Sequence, residues 1–139
     1  MTPLEIRAFV VRWLSAVTTG NHNEFSDLIA DQVLDLNSGA KTSASAFEAR
    51  ARAVRDAFGE LQPELEELLL DGDRIAWRWR ISGVHRAPFL GQPASGQRVT
   101  LRGVNFQRLA NGRVIEHYTL IDTQQALSEM REASTTGRH

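Results

Sequence analysis

Arg98-Val-Thr-Leu-Arg-Gly-Val-Asn-Phe-Gln-Arg-Leu-Ala110, then Asn111-Gly112, then Arg113-Val-Ile-Glu-His-Tyr-Thr-Leu-Ile-Asp122: these residues decide the fold. Two long alternating runs flank an Asn-Gly pair. A type I′ turn needs φ > 0 at both central residues, which Asn-Gly tolerates. A turn at Asn111-Gly112 sets Ala110 opposite Arg113. Counting outward puts Gln107 opposite Glu116, Asn105 opposite Tyr118 and Leu101 opposite Asp122. Side chains alternate across a strand. One face of the hairpin then carries Leu101, Gly103, Asn105, Gln107, Glu116, Tyr118, Leu120 and Asp122. Its amides, phenol and carboxylate suit a ligand cavity. The other face carries Val104, Phe106, Ile115, His117, Thr119 and Ile121, and is apolar enough to need covering.

The chain ahead of the hairpin begins with helices. Thr2 reads as an N-cap, Pro3 as the first helical residue and Glu5 as the closing member of a capping box. Ile6, Phe9, Val10, Trp13, Leu14 and Val17 follow at helical spacing, and Gly20 suits a left-handed stop. A short helix is expected over about 23–29 and a short strand over 33–37. Ser43 or Ser45 starts the next helix, Ser45-x-x-Glu48 reading as a second capping box, ahead of a stripe of Phe47, Ala51, Val54 and Phe58 that Gly59 ends. The period then changes to that of strands: 63–70, a turn at Asp71-Gly72-Asp73, and 74–85. In the second of these strands Ile75, Trp77, Trp79 and Ile81 share one face. Residues 86–97 hold two prolines and two glycines and read as a loop or a bulged strand crossing. Asp122-Thr123 opens a last short helix with Ala126, Leu127 and Met130, and 132–139 reads as a disordered polar tail. The expectation is a single α+β domain over 1–131. A curved antiparallel sheet packs against N-terminal helices, with a pocket between them that Trp13 and Trp77 or Trp79 can line.

Composition narrows the function. At 139 residues one domain buries about two thirds of the surface its unfolded chain exposes. A net charge of −1 leaves no electrostatic footprint for nucleic acid or an anionic membrane. No cysteine is present, which removes disulfides, thiolate metal sites and thiol nucleophiles. The four histidines form no i, i+4 pair, so no metal site is expected. No apolar run reaches the ~20 residues of a membrane span and no signal core is evident, so a cytoplasmic protein is the default.

Asp71-Gly-Asp-Arg-Ile-Ala-Trp-Arg-Trp79, Gly83-Val-His85, Phe89-Leu-Gly-Gln-Pro-Ala-Ser-Gly-Gln-Arg-Val99, Asn111-Gly-Arg-Val-Ile-Glu-His-Tyr118 and Asp122 together resemble the SnoaL-like polyketide cyclase (ester cyclase) family. That family lies within the nuclear-transport-factor-2-like superfamily. The resemblance implies a cone-shaped α+β barrel, often dimeric or tetrameric, with a hydrophobic cavity and no metal or organic cofactor. It also implies that an aspartate on the last strand, matched by Asp122, is the acid–base of an intramolecular aldol condensation on an aromatic polyketide ester. Where family members carry a histidine on the preceding strand, this chain has Asn105 and Gln107. The same fold hosts isomerases, hydrolases and pure binding modules. Two alternatives therefore stay open: a non-catalytic hydrophobic-ligand-binding or assembly module, and an epoxide-hydrolase-like enzyme with an Asp–Arg–Asp arrangement around a water.

Ring closure of this kind requires loss of a proton α to a carbonyl and stabilisation of the enolate. A carboxylate with a pKa near ~3.9 is a weak base in water, and an apolar pocket strengthens it. The candidate catalytic residues are Asp122 as acid–base, with Asn105 and Tyr118 as donors to the enolate oxygen. The candidate substrate-binding residues are Trp13, Trp77, Trp79, His85, Leu101, Gln107 and Leu120. Several have plainer readings. Asp122-x-x-Gln125 is also a capping box, Tyr118 also a core aromatic, His85 also a loop anchor, and Gln107 also a cross-strand partner of Glu116. Asn105 has low β propensity and calls for a reason in mid-strand. His117 falls on the face away from Asp122 and reads as a surface or subunit contact, and His22 and His139 read as solvated. Arg78 and Arg80 are expected to pair with Glu64, Glu66 or Glu67, the register of the 63–82 hairpin being open by one residue. The expected partners are a small hydrophobic polyketide-like molecule and a second copy of the chain. The copy would join through the outer face of Val104, Phe106, Ile115, Thr119 and Ile121.

Overall fold

Thr2 starts helix α1, Pro3–Thr19. Its hydroxyl accepts the Glu5 N–H at 3.2 Å, and the Glu5 carboxylate accepts the Thr2 N–H at 3.1 Å. Gly20, at φ 71°, ends the helix. Ile6, Phe9, Val10, Trp13, Leu14 and Ala16 are buried along one stripe. Burying each large side chain is worth roughly 1.5–3 kcal/mol, against about 1 kcal/mol for the cap, so packing decides where α1 lies. The computed structural model describes residues 1–20 and 24–136. The expectations for His22, His139 and a helix start at residue 23 lie outside the described residues.

Helix α2, Glu24–Leu28, runs directly into β1, Ile29–Asp35. A three-residue strand that the sequence did not signal, β2 (Ala40–Thr42), pairs with β1 at the sheet edge. Helix α3 is Ala44–Ala57. The second capping box does not form. Ser43 is the N-cap, the Ser43 and Ser45 hydroxyls bond each other at 2.9 Å, and Glu48 pairs with Arg55 instead. Phe58, expected on the helical stripe, is extended and opens β3, Phe58–Asp71. Because β3 is an edge strand it accommodates Pro63. Strands β4 (Arg74–His85), β5 (Arg98–Ala110) and β6 (Arg113–Ile121) follow, and then α4 (Thr123–Thr136). Helix α4 continues through residues 132–136, where a disordered tail was expected.

The sheet order is β2-β1-β6-β5-β4-β3. Its pairs are antiparallel with one correction to expectation: β1 and β6 run parallel. Residues 36–112 lie between these two strands, so the long crossover that a parallel pair needs is available. Helices α1, α2 and α3 cover the inner face, where Ile75, Trp77, Trp79 and Ile81 are buried. On the outer face Arg78 pairs with Glu66 at 2.9 Å and Arg80 with Glu64 at 2.8 Å, which fixes the register of the β3–β4 hairpin.

The decisive hairpin turns at Asn111 and Gly112, with φ 52° and 75°, and Ala110 faces Arg113 as counted. The register then shifts. Leu109 pairs with Val114, but Arg108 pairs with Glu116, leaving Ile115 as the extra residue of a β-bulge. Beyond it Gln107 faces His117, Phe106 faces Tyr118, Asn105 faces Thr119 and Gly103 faces Ile121. A slip of one residue exchanges the two faces of a strand. His117, Thr119 and Ile121 therefore turn inward, while Tyr118 and Leu120 turn outward. Among the described residues no helix is long and apolar enough to cross a membrane.

Candidate functional site

The inner sheet face and the helices enclose a cavity of about 180 Å³. Trp13, Phe25 and Phe47 form its helical wall, and Trp77, Trp79 and Leu101 its sheet wall. Phe89 and Leu90, from the 86–97 loop, complete it. The polar groups that reach it are Asn105, Thr119, His117 and Arg50.

Two short hydrogen-bond chains fix the orientation of two of these groups. In the first, Trp77 Nε1–H donates to Gln107 Oε1 at 3.0 Å, and Gln107 Nε2–H meets His117 Nδ1 at 3.1 Å. An indole can only donate, so it sets the Gln107 amide with its oxygen toward Trp77 and its NH₂ toward His117. His117 Nδ1 is therefore an acceptor and the ring proton sits on Nε2, which has no hydrogen-bond partner within the described residues. The imidazole stacks on Trp13 at 5.4 Å between centroids and meets the Phe47 ring edge-on at 4.9 Å. Burial, and after it the charge of Arg50, push the His117 pKa down to about 4, and Asp35 opposes them. At neutral pH His117 is an uncharged N–H donor.

In the second chain Trp79 Nε1–H at 3.2 Å and Thr119 Oγ1–H at 2.7 Å both donate to Asn105 Oδ1. This is the reason for an asparagine in mid-strand: its oxygen serves two buried donors. Its Nδ2 has no partner within the described residues, and Asn105 is among the residues that line the cavity. Thr119 is held in turn by the Asn37 side chain, which bonds both its N–H and its carbonyl at 3.0 and 2.8 Å. At the mouth, Arg50 Nη2 donates to Asp35 Oδ2 at 3.1 Å. Burial works against the Asp35 charge, but the Asn37 N–H and the Arg50 guanidinium outweigh it and hold this carboxyl below its ordinary range.

Of the residues singled out in the sequence, Trp13, Trp77, Trp79, Leu101 and Asn105 line this cavity. Gln107 is buried behind His117 and acts on the site through it. Four are placed elsewhere. Asp122 lies on the outside, where its Oδ1 accepts the Gln125 N–H at 2.9 Å and caps α4. Tyr118 packs on the outer face against Phe106, with ring centroids 6.0 Å apart. Leu120 is 62% exposed there. All three were assigned inward by the unbulged register. His85 is fully buried under the 86–97 loop. It stacks on Phe58 at 5.3 Å and takes the Ser95 N–H on Nδ1 at 3.2 Å. It anchors the loop that carries Phe89 and Leu90 without reaching the cavity itself. Burial lowers its pKa as well.

Sequence reasoning missed His117, Thr119 and Arg50. For the first two there was one signal: Val114 and Ile115 are consecutive apolar residues, the pattern of a bulge that resets the alternation. Chemically, the site presents two rigid N–H donors, Asn105 Nδ2 and His117 Nε2, in an apolar enclosure. Such donors suit a carbonyl oxygen that gains negative charge. No carboxylate lines the cavity among the described residues. No cluster of three His, Asp or Glu side chains suited to a metal occurs among them either.

A model of the SnoaL-like polyketide cyclase family matches residues 8–130. A search by sequence finds no match among curated proteins. Several solved structures are similar in fold. TsrD from Streptomyces laurentii superposes with a TM-score of 0.84 at 19% identity, over 94% of this chain and 97% of that one. AclR from Streptomyces galilaeus gives 0.77 at 22% identity, over 94% and 98%. A SnoaL-like polyketide cyclase from Agrobacterium tumefaciens gives 0.76 at 17% identity, over 94% and 99%. At these identities the likeness is one of fold.

Proposed function

The chain belongs to the SnoaL-like polyketide cyclase family, and from that premise we propose that it is a cofactor-independent cyclase- or isomerase-type enzyme. It acts on a compact, mostly apolar, carbonyl-bearing molecule held in the cavity. The observation that carries this reading is the pair of fixed donors. Neutral His117 and Asn105 hold the carbonyl oxygen and stabilise the enolate that forms when the α-proton leaves. No carboxylate lines the cavity among the described residues, so we take the proton to be one that departs readily, such as that between the two carbonyls of a β-dicarbonyl, with solvent as its acceptor. The enolate carbon then attacks a further carbonyl of the same molecule, the new alkoxide taking a proton from solvent, as in an aldol-type closure, or the enolate is reprotonated at another position, as in an isomerisation.

The test is deuterium exchange at the central carbon of 1-phenylbutane-1,3-dione, followed by NMR. The protein is expected to accelerate it. Asn105→Leu and His117→Phe should each slow the catalysed exchange by about 10²–10³-fold, the usual cost of one oxyanion donor, while both variants still melt cooperatively. A dione that binds without faster exchange would discard catalysis. That outcome supports the second reading, a hydrophobic-ligand-binding module, which the carboxylate-free wall favours. An epoxide-hydrolase-like mechanism has less support, because Asp35 and Arg50 form one acid–base pair at the mouth and, among the described residues, no carboxylate lines the cavity.

The reading extends to assembly. The outer sheet face carries Val104, Phe106, Tyr118 and Leu120, with Phe106 51% exposed. We propose that it joins a second copy of the chain.

A further inference from the structure

Arg50 brings the one full charge to the cavity wall among the described residues. Pairing with Asp35 engages only Nη2. Asp35 also takes the Asn37 N–H at 2.9 Å, so it does not depend on the guanidinium alone. Arg50 Nε and Nη1 have no partner within the described residues. The guanidinium lies over the Phe47 ring, 5.1 Å from its centroid, and Phe47 stands one helical turn earlier on α3 and borders the cavity. The side chain is 52% exposed, which places it at the mouth. It is thus a planar donor set, held by a ring on one side and a carboxylate on the other, with its remaining N–H groups open to whatever enters.

The cavity size bears on what enters. An apolar cavity of about 150 Å³ accommodates a benzene-sized molecule. A volume of about 180 Å³ encloses one ring and a short chain. Anything longer leaves by the mouth, past Arg50.

We propose that Arg50 is the receptor for a carboxylate on the substrate, and that the ligand class is a compact oxo acid. Its ring sits among the tryptophans, its carbonyl oxygen on Asn105 and His117, and its carboxylate on the Arg50 fork at the mouth. This rests on the carbonyl-binding reading above and adds the anionic end. Guanidinium matches a carboxylate with two parallel N–H···O bonds, and it is less strongly hydrated than an ammonium.

The test uses 4-oxo-4-phenylbutanoate and its neutral isostere 1-phenylpentane-1,4-dione, titrated against the fluorescence of Trp13, Trp77 and Trp79. The protein is expected to bind the acid about tenfold more tightly, the scale of one charge-assisted contact at a half-exposed site. Arg50→Gln should remove that preference, weakening the acid about tenfold more than the dione. The double variant Arg50→Gln/Asp35→Asn, which leaves no unpaired carboxylate behind, should behave the same way. Asp35→Asn alone frees the guanidinium and should tighten the acid but not the dione; a merely structural Arg50 would not respond so. Equal affinities for the two probes, or a preference that survives Arg50→Gln, would overturn the inference and leave the carbonyl-binding reading standing. Binding of neither probe overturns both.

Discussion

His117 is neutral in the folded chain because it is buried and faced by the Arg50 charge. Its native pKa of about 4 lies below the ordinary 6.5. Between those values the unfolded chain binds a proton that the native state refuses. Stability is therefore present in full above pH 6.5 and is lost as pH falls toward 4, by roughly 3 kcal/mol. His85, also shifted down by burial, adds in the same direction. Urea melts between pH 7 and 4 should show this slope, and His117→Phe should flatten it. Asp122 answers to a different test. As the α4 cap, Asp122→Ala should lower stability by about 1 kcal/mol, while Asp122→Asn, a good cap, should be nearly neutral. Neither should change exchange catalysis, because the carboxyl lies outside the cavity. A hundredfold loss in Asp122→Asn would return the acid–base role to this residue.

Strand β6 shows how much one residue governs at the scale of an element. The bulge at Ile115 turns His117 and Thr119 into the cavity and Tyr118 and Leu120 out of it. Alternation was read correctly along β5, where Leu101, Gly103, Asn105 and Gln107 all face inward. It failed on β6 because Val114 and Ile115 are both apolar, and the sequence does not say which is the extra residue. On β5, Gly103 is required by a neighbour. A Cβ there would stand 2.3 Å from Trp79 Cζ2 and 3.0 Å from the Leu120 carbonyl oxygen. Gly103→Ala should therefore displace Trp79 and break its bond to Asn105. The expected cost is about 1–3 kcal/mol of stability, seen as a lower Tm, together with weaker dione binding.

For the whole molecule, the covered and uncovered faces of the sheet have opposite consequences. The helices bury the inner face and leave a small hollow. On the outer face Phe106 and Leu120 are exposed, and with Tyr118 they share it with the Arg78–Glu66 and Arg80–Glu64 pairs. If a second copy covers it, light scattering will give twice the chain mass. Phe106→Glu combined with Leu120→Glu will then give a monomer with the same circular dichroism. A wild-type chain that is monomeric at micromolar concentration would sink that assembly.

The order of elements, the Asn111-Gly112 turn, the α1 cap and the tryptophan-bearing face of β4 were legible in the chain itself. Each depends on neighbours within a few residues: periodicity, a turn that needs positive φ, a hydroxyl three residues from an N–H. The parallel β1–β6 pair, the bulge at Ile115, and with them the choice of His117 over Asp122 as the group inside the cavity, were decided only by tertiary structure. The parallel pair joins strands far apart in the chain, and the bulge falls on one of two adjacent apolar residues; local pattern records neither.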